Sequence, residues 1–476
     1  MKLPDHKTKI VATIGPASDN VEILCEMIRA GMDVARINFS HGDLDGHGAT
    51  IARIREASGL TGRRVAIMAD LPGPKIRIGE MERAVELKPG DPLILTTEEI
   101  TGTPEQVSVT FRDIPRLVQA GDSLYINDGI IHLEVERIEG SRVYCTVKVG
   151  GELSSGKGLN MPGINMGIPV FTDHDGKCLK FALEKGITVF SQSFVEKAAD
   201  IEVLKKAAAE MGKTPFVIAK VERATALENI EEILAASDGI MIARGDLGVE
   251  TPIQKIAVIQ KTLMDRANLS GKPVITATQM LESMVDHARP TRAEATDVAN
   301  AVLDGTHCVM LSAESAVGRY PVRSIRMLAM IASETEPYRR GDRLKEALES
   351  HSGDDEVSPL DLIALSVHYT VERVCPAAVL VPTRSGTMAR NVSRFRLPVW
   401  ITAVSPLEET CQALQMSYGV HAIHEPDPPG DWNAYARKLV KELGSEGDLV
   451  LVTQGPSPEN PEANHRLEIL DLRDIN

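Results

Sequence analysis

Eight short apolar runs, each finishing in polar residues, constrain the fold of this chain more than any other feature. They read IVATIG (10–15), DVARINF (33–39), VAIMADL (65–71), ITVFSQSF (187–194), FVIAKVE (216–222), GIMIARGD (239–246), PVITATQ (273–279) and HCVMLSAE (307–314). Amphipathic stretches separate most of them. Asp19 and Glu22 read as a capping-box-like start for a helix that turns Val21, Leu24 and Ile28 to one face and stops at Gly31. Another stretch takes Thr251 as its N-cap, Pro252 as its first helical residue and Gly271 past its end. Strands alternating with helices imply a parallel sheet, and eight of them fit a closed (β/α)8 TIM barrel, with a doubly wound open sheet as the alternative. The polar ends favour the barrel, because there they converge on the one rim where barrel enzymes carry their chemistry. Those ends are Arg36, Asn38 and Ser40; Asp70; Ser193; Lys220 and Glu222; Arg244 and Asp246; Thr276, Thr278 and Gln279; Ser312 and Glu314.

At 476 residues the chain needs more than one core. The third and fourth runs are too far apart for a loop, so 73–167 reads as an inserted small all-β domain, a β-barrel or sandwich able to act as a lid. Runs such as QVSVTF, SLYIN and RVYCTVKV alternate there, with turns at Asp128-Gly129 and Glu139-Gly140. The catalytic barrel is then 1–72 and 168–340. A polar stretch from Tyr338 reads as a linker, and 341–476 reads as a C-terminal open α/β regulatory domain.

No run of about 20 apolar residues exists to span a bilayer, and the N-terminal MKLPDHKTKI lacks an apolar signal core, so a cytoplasmic location is expected. A net charge of −15 argues against nucleic acid as the main partner, and an anionic substrate would need a locally basic site. Six scattered cysteines suit neither a disulfide framework nor a structural zinc.

Glu222 and Asp246 end neighbouring strands, and so few hard oxygen ligands suit Mg²⁺, which completes its shell from water and substrate. The alternative is a carboxylate pair salt-bridged to Arg244 or Lys220. Lys220, two residues before Glu222 on the same strand face, must be paired or functional, since a buried lone ammonium is costly. Gly245 sits where a backbone turn could present N–H groups to an anion, or it is a plain turn. Arg36, Asn38 and Ser40 alternate on one side of their strand; with Asp70 they could hold phosphate and a cation, or form a hydrogen-bond network closing the barrel top. Arg77 and Lys157 add positive charge at the two ends of the insertion.

With these residues assembled, the chain resembles the pyruvate kinases over nearly its whole length. The resemblance rests on TKIVATIGPAS (8–18), GMDVARINFSHG (31–42), GPKIRIGE (73–80), KGLNMPG (157–163), AKVE (219–222), SDGIMIARGDLGVE (237–250), ITATQMLESM (275–284), RPTRAE (289–294) and DVANAVLDGT (297–306). It implies phosphoryl transfer from phosphoenolpyruvate to ADP, giving ATP and an enolate that is protonated to pyruvate. It further implies Glu222 and Asp246 as ligands of Mg²⁺ (or Mn²⁺), Lys220 as the cation facing the transferring phosphoryl, Arg36 as a phosphoryl ligand and Thr278 on the proton path. Gly245 with its neighbour amide would hold the substrate carboxylate, beside Ser193. Asn38, His41, Arg77, Asp128 and Lys157 match the nucleotide side. Asn38, Ser40, Asp70 and the Leu71 carbonyl match the monovalent-cation ligands. A homotetramer with Arg292 near an interface is also implied.

Departures from the family pattern are Gln192, Ser315, the Leu71-Pro72 pair and Lys75. A glutamate stands at the Lys75 position in potassium-dependent relatives. The lysine is expected to place its ammonium near the Asn38, Ser40 and Asp70 oxygens and make K⁺ dispensable; the alternative is a lysine pointing to solvent. The VPTRSGTMARN segment, with Thr383, Arg384, Ser385, Gly386 and Thr387, reads as a site for a phosphorylated allosteric effector or as a capped turn without ligand. A Mg²⁺-dependent lyase or aldolase acting on pyruvate enolate is the rival activity, against which Arg77, Asp128 and Lys157 count. A scaffold that has lost catalysis is the other rival, against which Lys220, Glu222, Asp246 and Thr278 count.

Overall fold

A computed structural model describes residues 3–164, 166–339, 358–444, 447–456 and 464–473. All eight runs are strands: Lys9–Thr13, Val34–Asn38, Ala66–Leu71, Val189–Gln192, Phe216–Val221, Gly239–Ala243, Val274–Ala277 and Cys308–Leu311. They pair in parallel, and Lys9–Thr13 bonds both Val34–Asn38 and Cys308–Leu311, which closes the barrel and removes the open-sheet alternative.

Strand side chains alternate between two environments. Ile10, Ala12, Ile37, Phe190, Val217 and Ile242 pack outward against the helices. Val11, Val34, Met68, Ile218, Met241 and Ile275 fill the interior. Thr13, Arg36, Asn38, Asp70, Ser191, Ser193, Lys220 and Glu222 follow these interior residues at even spacing, so the same parity aims them into the barrel mouth. Thr276 has the other parity. It is buried on the helix side and donates to Thr306 Oγ1 at 2.9 Å, so it does not belong to the rim as its position at a strand end suggested.

Two helix starts differ from the sequence expectation. The Val21–Ala30 helix is capped by Asn20, whose side chain accepts from the Glu22 and Ile23 amides. Asp19 instead pairs with Arg53 at 2.5 Å and accepts from Thr50 at 2.9 Å, so a neighbouring helix claims it. Beyond Thr251 the chain first makes a 3-10 turn, Ile253–Lys255, and the α-helix is Ile256–Leu269. Thr251 terminates the preceding Arg244–Glu250 helix and donates to the Leu247 carbonyl at 2.7 Å, so it cannot cap the next one.

Between the third and fourth barrel strands the chain builds a six-stranded sheet ordered Leu159–Asn160, Ser123–Ile126, Ile131–Glu139, Arg142–Val149, Pro92–Thr96 and Gln106–Ser108. Val85–Leu87 and Gly151–Leu153 make a separate pair. This unit has its own core, including Leu93, Leu95, Leu124, Ile131 and Val143. Gly73 stands where the chain leaves the barrel, at φ 63 and with Ser193 O 3.2 Å from where a Cβ would be, so only glycine fits comfortably.

After the barrel, Val420–His424, Ile401–Ser405, Ala378–Pro382 and Leu449–Gln454 form a parallel sheet that Arg466–Asp471 extends antiparallel. The helices Pro359–Val374, Thr387–Ser393, Glu408–Leu414 and Trp432–Leu443 pack on it. The polar stretch read as a linker falls, from 340 to 357, outside the described residues. Among the described residues no helix is long and apolar enough to cross a membrane, and all six cysteines are free.

Candidate active site

Four charged side chains from three strands meet in the barrel mouth, each 8% exposed or less. Arg36 donates through Nε to Asp70 Oδ2 at 3.0 Å, and a second donation from Nη2 reaches the same oxygen. Its Nη1 donates to Thr13 Oγ1 at 2.8 Å. Asp70 Oδ1 accepts from Ser191 Oγ and lies 3.5 Å from Lys220 Nζ. Lys220 Nζ is 2.8 Å from Glu222 Oε1 and donates to Ser193 Oγ at 2.7 Å, while Ser193 Oγ donates to the Leu71 carbonyl at 2.7 Å. The Phe194 amide donates to Glu222 Oε2 at 2.7 Å.

The electrostatics follow from this geometry. Burial alone would raise the Asp70 carboxyl, but Arg36, Lys220 and the Ser191 hydroxyl together hold it below its ordinary value. Burial works against the Lys220 ammonium, and Asp70 and Glu222 overcome it, so the lysine stays protonated. Glu222 is raised by burial and by Asp246, with Lys220 opposing. Two cations and two carboxylates thus offset one another in a volume where any one of them alone would cost several kcal/mol.

Asp246 lies in the first turn of the Arg244–Glu250 helix, directly after its strand, and lines one cleft with Glu222, Lys75, Phe194, Arg223 and Glu250. Its open space of ≈ 20 Å³ is of the order that one water fills. Among the described residues no group of three or more His, Cys, Asp or Glu is placed to hold a metal ion. Glu222 and Asp246 offer hard carboxylate oxygens to one cleft, a donor set that fits an ion taking its other ligands from water or substrate. Glu250, one helical turn after Asp246, is pushed up by burial to about 6, with Arg223 opposing.

Several sequence expectations change here. Gly245, read as a turn that could present N–H groups to an anion, is helical, and its amide donates to Thr278 Oγ1 at 2.7 Å. The Thr278 hydroxyl in turn donates to the Ala277 carbonyl at 2.7 Å. Arg244 points away from the carboxylate pair, donating to the Ala277 and Thr278 carbonyls and pairing with Asp297 at 2.7 Å. Ser40 lies beyond its strand, in a turn where its amide donates to Asn38 Oδ1 at 3.1 Å. Lys75 is exposed, with its Cε 3.1 Å from where a Gly158 Cβ would stand, and makes no hydrogen bond or ion pair with Asn38, Ser40 or Asp70. The sequence expected its ammonium on those oxygens, but Asp70 already accepts from Arg36 and Ser191, and Asn38 Oδ1 from the Ser40 amide.

Arg77 and Lys157 do come together. Arg77 bridges Gly158 and donates to the Gly156 carbonyl at 2.8 Å, and with Lys75 its charge helps burial lower His41. Asp128 stands apart, at an exposed tip with φ 53 whose neighbour Gly129 approaches Val249. Glu314 is buried and braces the rim by accepting from the Leu281 amide at 3.0 Å.

The sequence reading missed Ser191, Thr13, Phe194 and Glu250. Period-two counting back from Ser193 finds Ser191, and the same parity on the first strand finds Thr13. Helical spacing from Asp246 finds Glu250. Phe194 has no such signal: it sits at φ 59, as Thr278 does at φ 65, and both are strained non-glycine positions on the rim.

Comparison with known proteins now decides the family. The pyruvate kinase barrel domain matches residues 5–325, and the pyruvate kinase alpha/beta domain matches 361–469. The chain belongs to the pyruvate kinase family. It is 46% identical to the pyruvate kinase of Thermococcus litoralis over 461 residues, covering 96% of each chain. The Geobacillus stearothermophilus enzyme is 42% identical over 459 residues, 94% of this chain and 78% of that one. The Clostridium acetobutylicum enzyme is 39% identical over 457 residues, 94% and 96%. The chain is accordingly a phosphotransferase that forms ATP and pyruvate from phosphoenolpyruvate and ADP, a reaction whose family generally uses a divalent metal, and the lyase or aldolase reading has no support.

Proposed function

We propose that the Arg36–Asp70–Lys220–Glu222 cluster, with Asp246 and Thr278, carries this reaction, in a cytoplasmic homotetramer acting at the last step of glycolysis. The observation that supports it most is Lys220. Its ammonium is kept charged and fixed between two carboxylates and a serine hydroxyl, at the mouth of the barrel. Phosphoryl transfer needs little covalent help from protein and much neutralisation of oxygen charge, so prepositioned cations are the parts it requires.

On this reading Arg36 grips the phosphoryl group, and Lys220 faces it and the enolate oxygen that develops as it leaves. Glu222 and Asp246 would hold Mg²⁺ or Mn²⁺, which when bound supplies Lewis-acid neutralisation of phosphoryl and enolate oxygens. The Asp246 amide lies in the first turn of a helix, where backbone N–H groups lack intrahelical acceptors, and suits the substrate carboxylate beside Ser193, while the Gly245 amide would have to leave Thr278 to join it. Thr278, already hydrogen-bonded to the Gly245 amide, stands on the proton path to the enolate carbon. Asn38, His41, Arg77 and Lys157 bind the ADP phosphates from the hinge side, and Asp128 reaches the nucleotide only from the facing tip.

Losing Lys220 removes charge that acts on the transition state. Lys220→Ala is expected to lower kcat by about 10² to 10³ or more in a coupled pyruvate assay, with folding and most phosphoenolpyruvate affinity kept. A mutant within tenfold of wild type would contradict the assignment.

K⁺ is proposed to be unnecessary. Three of the four oxygens of the monovalent-cation position already accept hydrogen bonds: Asp70 from Arg36 and Ser191, the Leu71 carbonyl from Ser193, and Asn38 from the Ser40 amide. Lys75 adds charge to the cleft from its edge. Turnover in tetramethylammonium buffer at fixed ionic strength should be unchanged by K⁺ in wild type and raised by K⁺ in Lys75→Glu. Strong activation of the wild type would refute this.

A phosphorylated effector is proposed for a cavity of ≈ 500 Å³ lined by Thr383, Arg384, Ser385, Thr387, Trp432 and His465. Gly386 caps the helix at φ 78, and among the described residues His465 Nδ1 is buried without a hydrogen-bond partner. Sugar phosphates or nucleotides should shift half-saturation by phosphoenolpyruvate in wild type and not in Ser385→Asp; an unchanged shift in the mutant would reject the site.

A further inference from the structure

The barrel floor is closed by a residue from outside the barrel. Met68, Ile218, Met241, Ile275 and Cys308 belong to one inward-facing hydrophobic cluster made otherwise of barrel-strand residues, and one fully buried member, Met416, comes from the C-terminal sheet domain. Met416 lies in the turn between the Glu408–Leu414 helix and the Val420–His424 strand. Its carbonyl accepts from Cys308 Sγ at 3.3 Å. The turn is clamped on both sides, the Gly419 amide donating to the Lys7 carbonyl at 2.9 Å and Ser393 Oγ to the Tyr418 carbonyl at 2.7 Å.

Above this plug the catalytic cations begin at once. Met68 pairs in register with Arg36, and Met241 with Lys220, and all four face the interior. Below it, the same short helix is tied to the loop beside the ≈ 500 Å³ cavity. Thr410 Oγ1 donates to the Arg384 carbonyl at 2.6 Å, and Leu414 lies 3.1 Å from where a Gly386 Cβ would stand. One helix therefore runs from the Thr383–Thr387 loop to the barrel floor.

We propose that Met416 is a positioning residue for phosphoryl transfer: through Met68 and Met241 it sets the placement of Arg36 and Lys220. The proposal rests on the reading of Arg36 and Lys220 as the cations of the reaction. Packed interiors pass displacement on because they hold few voids, and a shift of about 1 Å at reacting groups can cost about 10²-fold in rate.

The test uses the full-length enzyme and compares Met416→Ala, Met416→Leu and a control, Leu328→Ala, which opens a cavity on the helix side of the barrel wall, where Leu328 is fully buried. Thermal midpoints, kcat and KM for ADP are measured for each. Met416→Ala should lower kcat about tenfold or more while KM for ADP moves less than about threefold, because ADP binds on the hinge side. Met416→Leu, which refills the volume, should return kcat to within about threefold of wild type. Leu328→Ala should lower the thermal midpoint comparably and leave kcat near wild type. If Met416→Ala fails to fold, Met416→Val is read by the same comparison. Equal kcat in the Met416 truncation and the Leu328 control overturns the inference. A wild type that forms no pyruvate would instead overturn the reading of the site beneath it.

Discussion

Everything at the mouth of this barrel depends on Asp70. It is a carboxylate 2% exposed that receives Arg36 on one oxygen and Ser191 and Lys220 on the other. Arg36 has no other carboxylate partner there and Lys220 shares it with Glu222, so both cations offset their desolvation against Asp70, and Asp70 is held ionised by them. The strand pairing makes this possible. Asn38 and Asp70 are register partners, as are Asp70 and Ser191, so adjacent strands deliver side chains of one parity at one height. A closed parallel barrel turns a local alternation rule into a three-dimensional charge cluster.

The rest of the rim is held by strain and bracing. Phe194, Thr278 and Gln279 adopt left-handed backbone without being glycine, which costs of order 1–3 kcal/mol at each position and persists only where the surroundings enforce it. The enforcing contacts are visible. Phe194 gives its amide to Glu222, Arg244 holds the Ala277 and Thr278 carbonyls, and Glu314 takes the Leu281 amide. Stability is thus spent where Glu222 and Thr278 must be aimed.

Much of this was legible in the sequence. The eight apolar runs carried the barrel, because short apolar strands alternating with helices imply a parallel sheet and their polar ends need one common rim, and Lys220 and Glu222 were readable as neighbours from their spacing alone. What failed was whatever depended on a partner distant in sequence. Thr276 looked like a rim residue until Thr306 claimed it, and Asp19 looked like a cap until Arg53 did. Lys75 was expected to reach oxygens that closer donors already satisfy. The Trp432–Leu443 helix went unread although Asp431 caps it and Ala436, Leu439 and Val440 line its buried face; the edge strand Arg466–Asp471, charged at Arg466, Glu468 and Asp471, gave little signal. Met416 carried none, since nothing local marks a methionine as the floor of another domain.

The central claim is that Asp70 works by holding Arg36 and Lys220 in place, so its contribution should vanish when Lys220 is gone. A double-mutant cycle measures this directly, with kcat determined for Asp70→Asn, Lys220→Ala and the double mutant under saturating phosphoenolpyruvate, ADP and Mg²⁺. The account predicts strong non-additivity, the double mutant being slower than Lys220→Ala alone by less than about threefold although Asp70→Asn by itself costs about tenfold or more. Fully additive losses would contradict it, because they would mean that Asp70 acts on the reaction independently of the lysine it is supposed to hold.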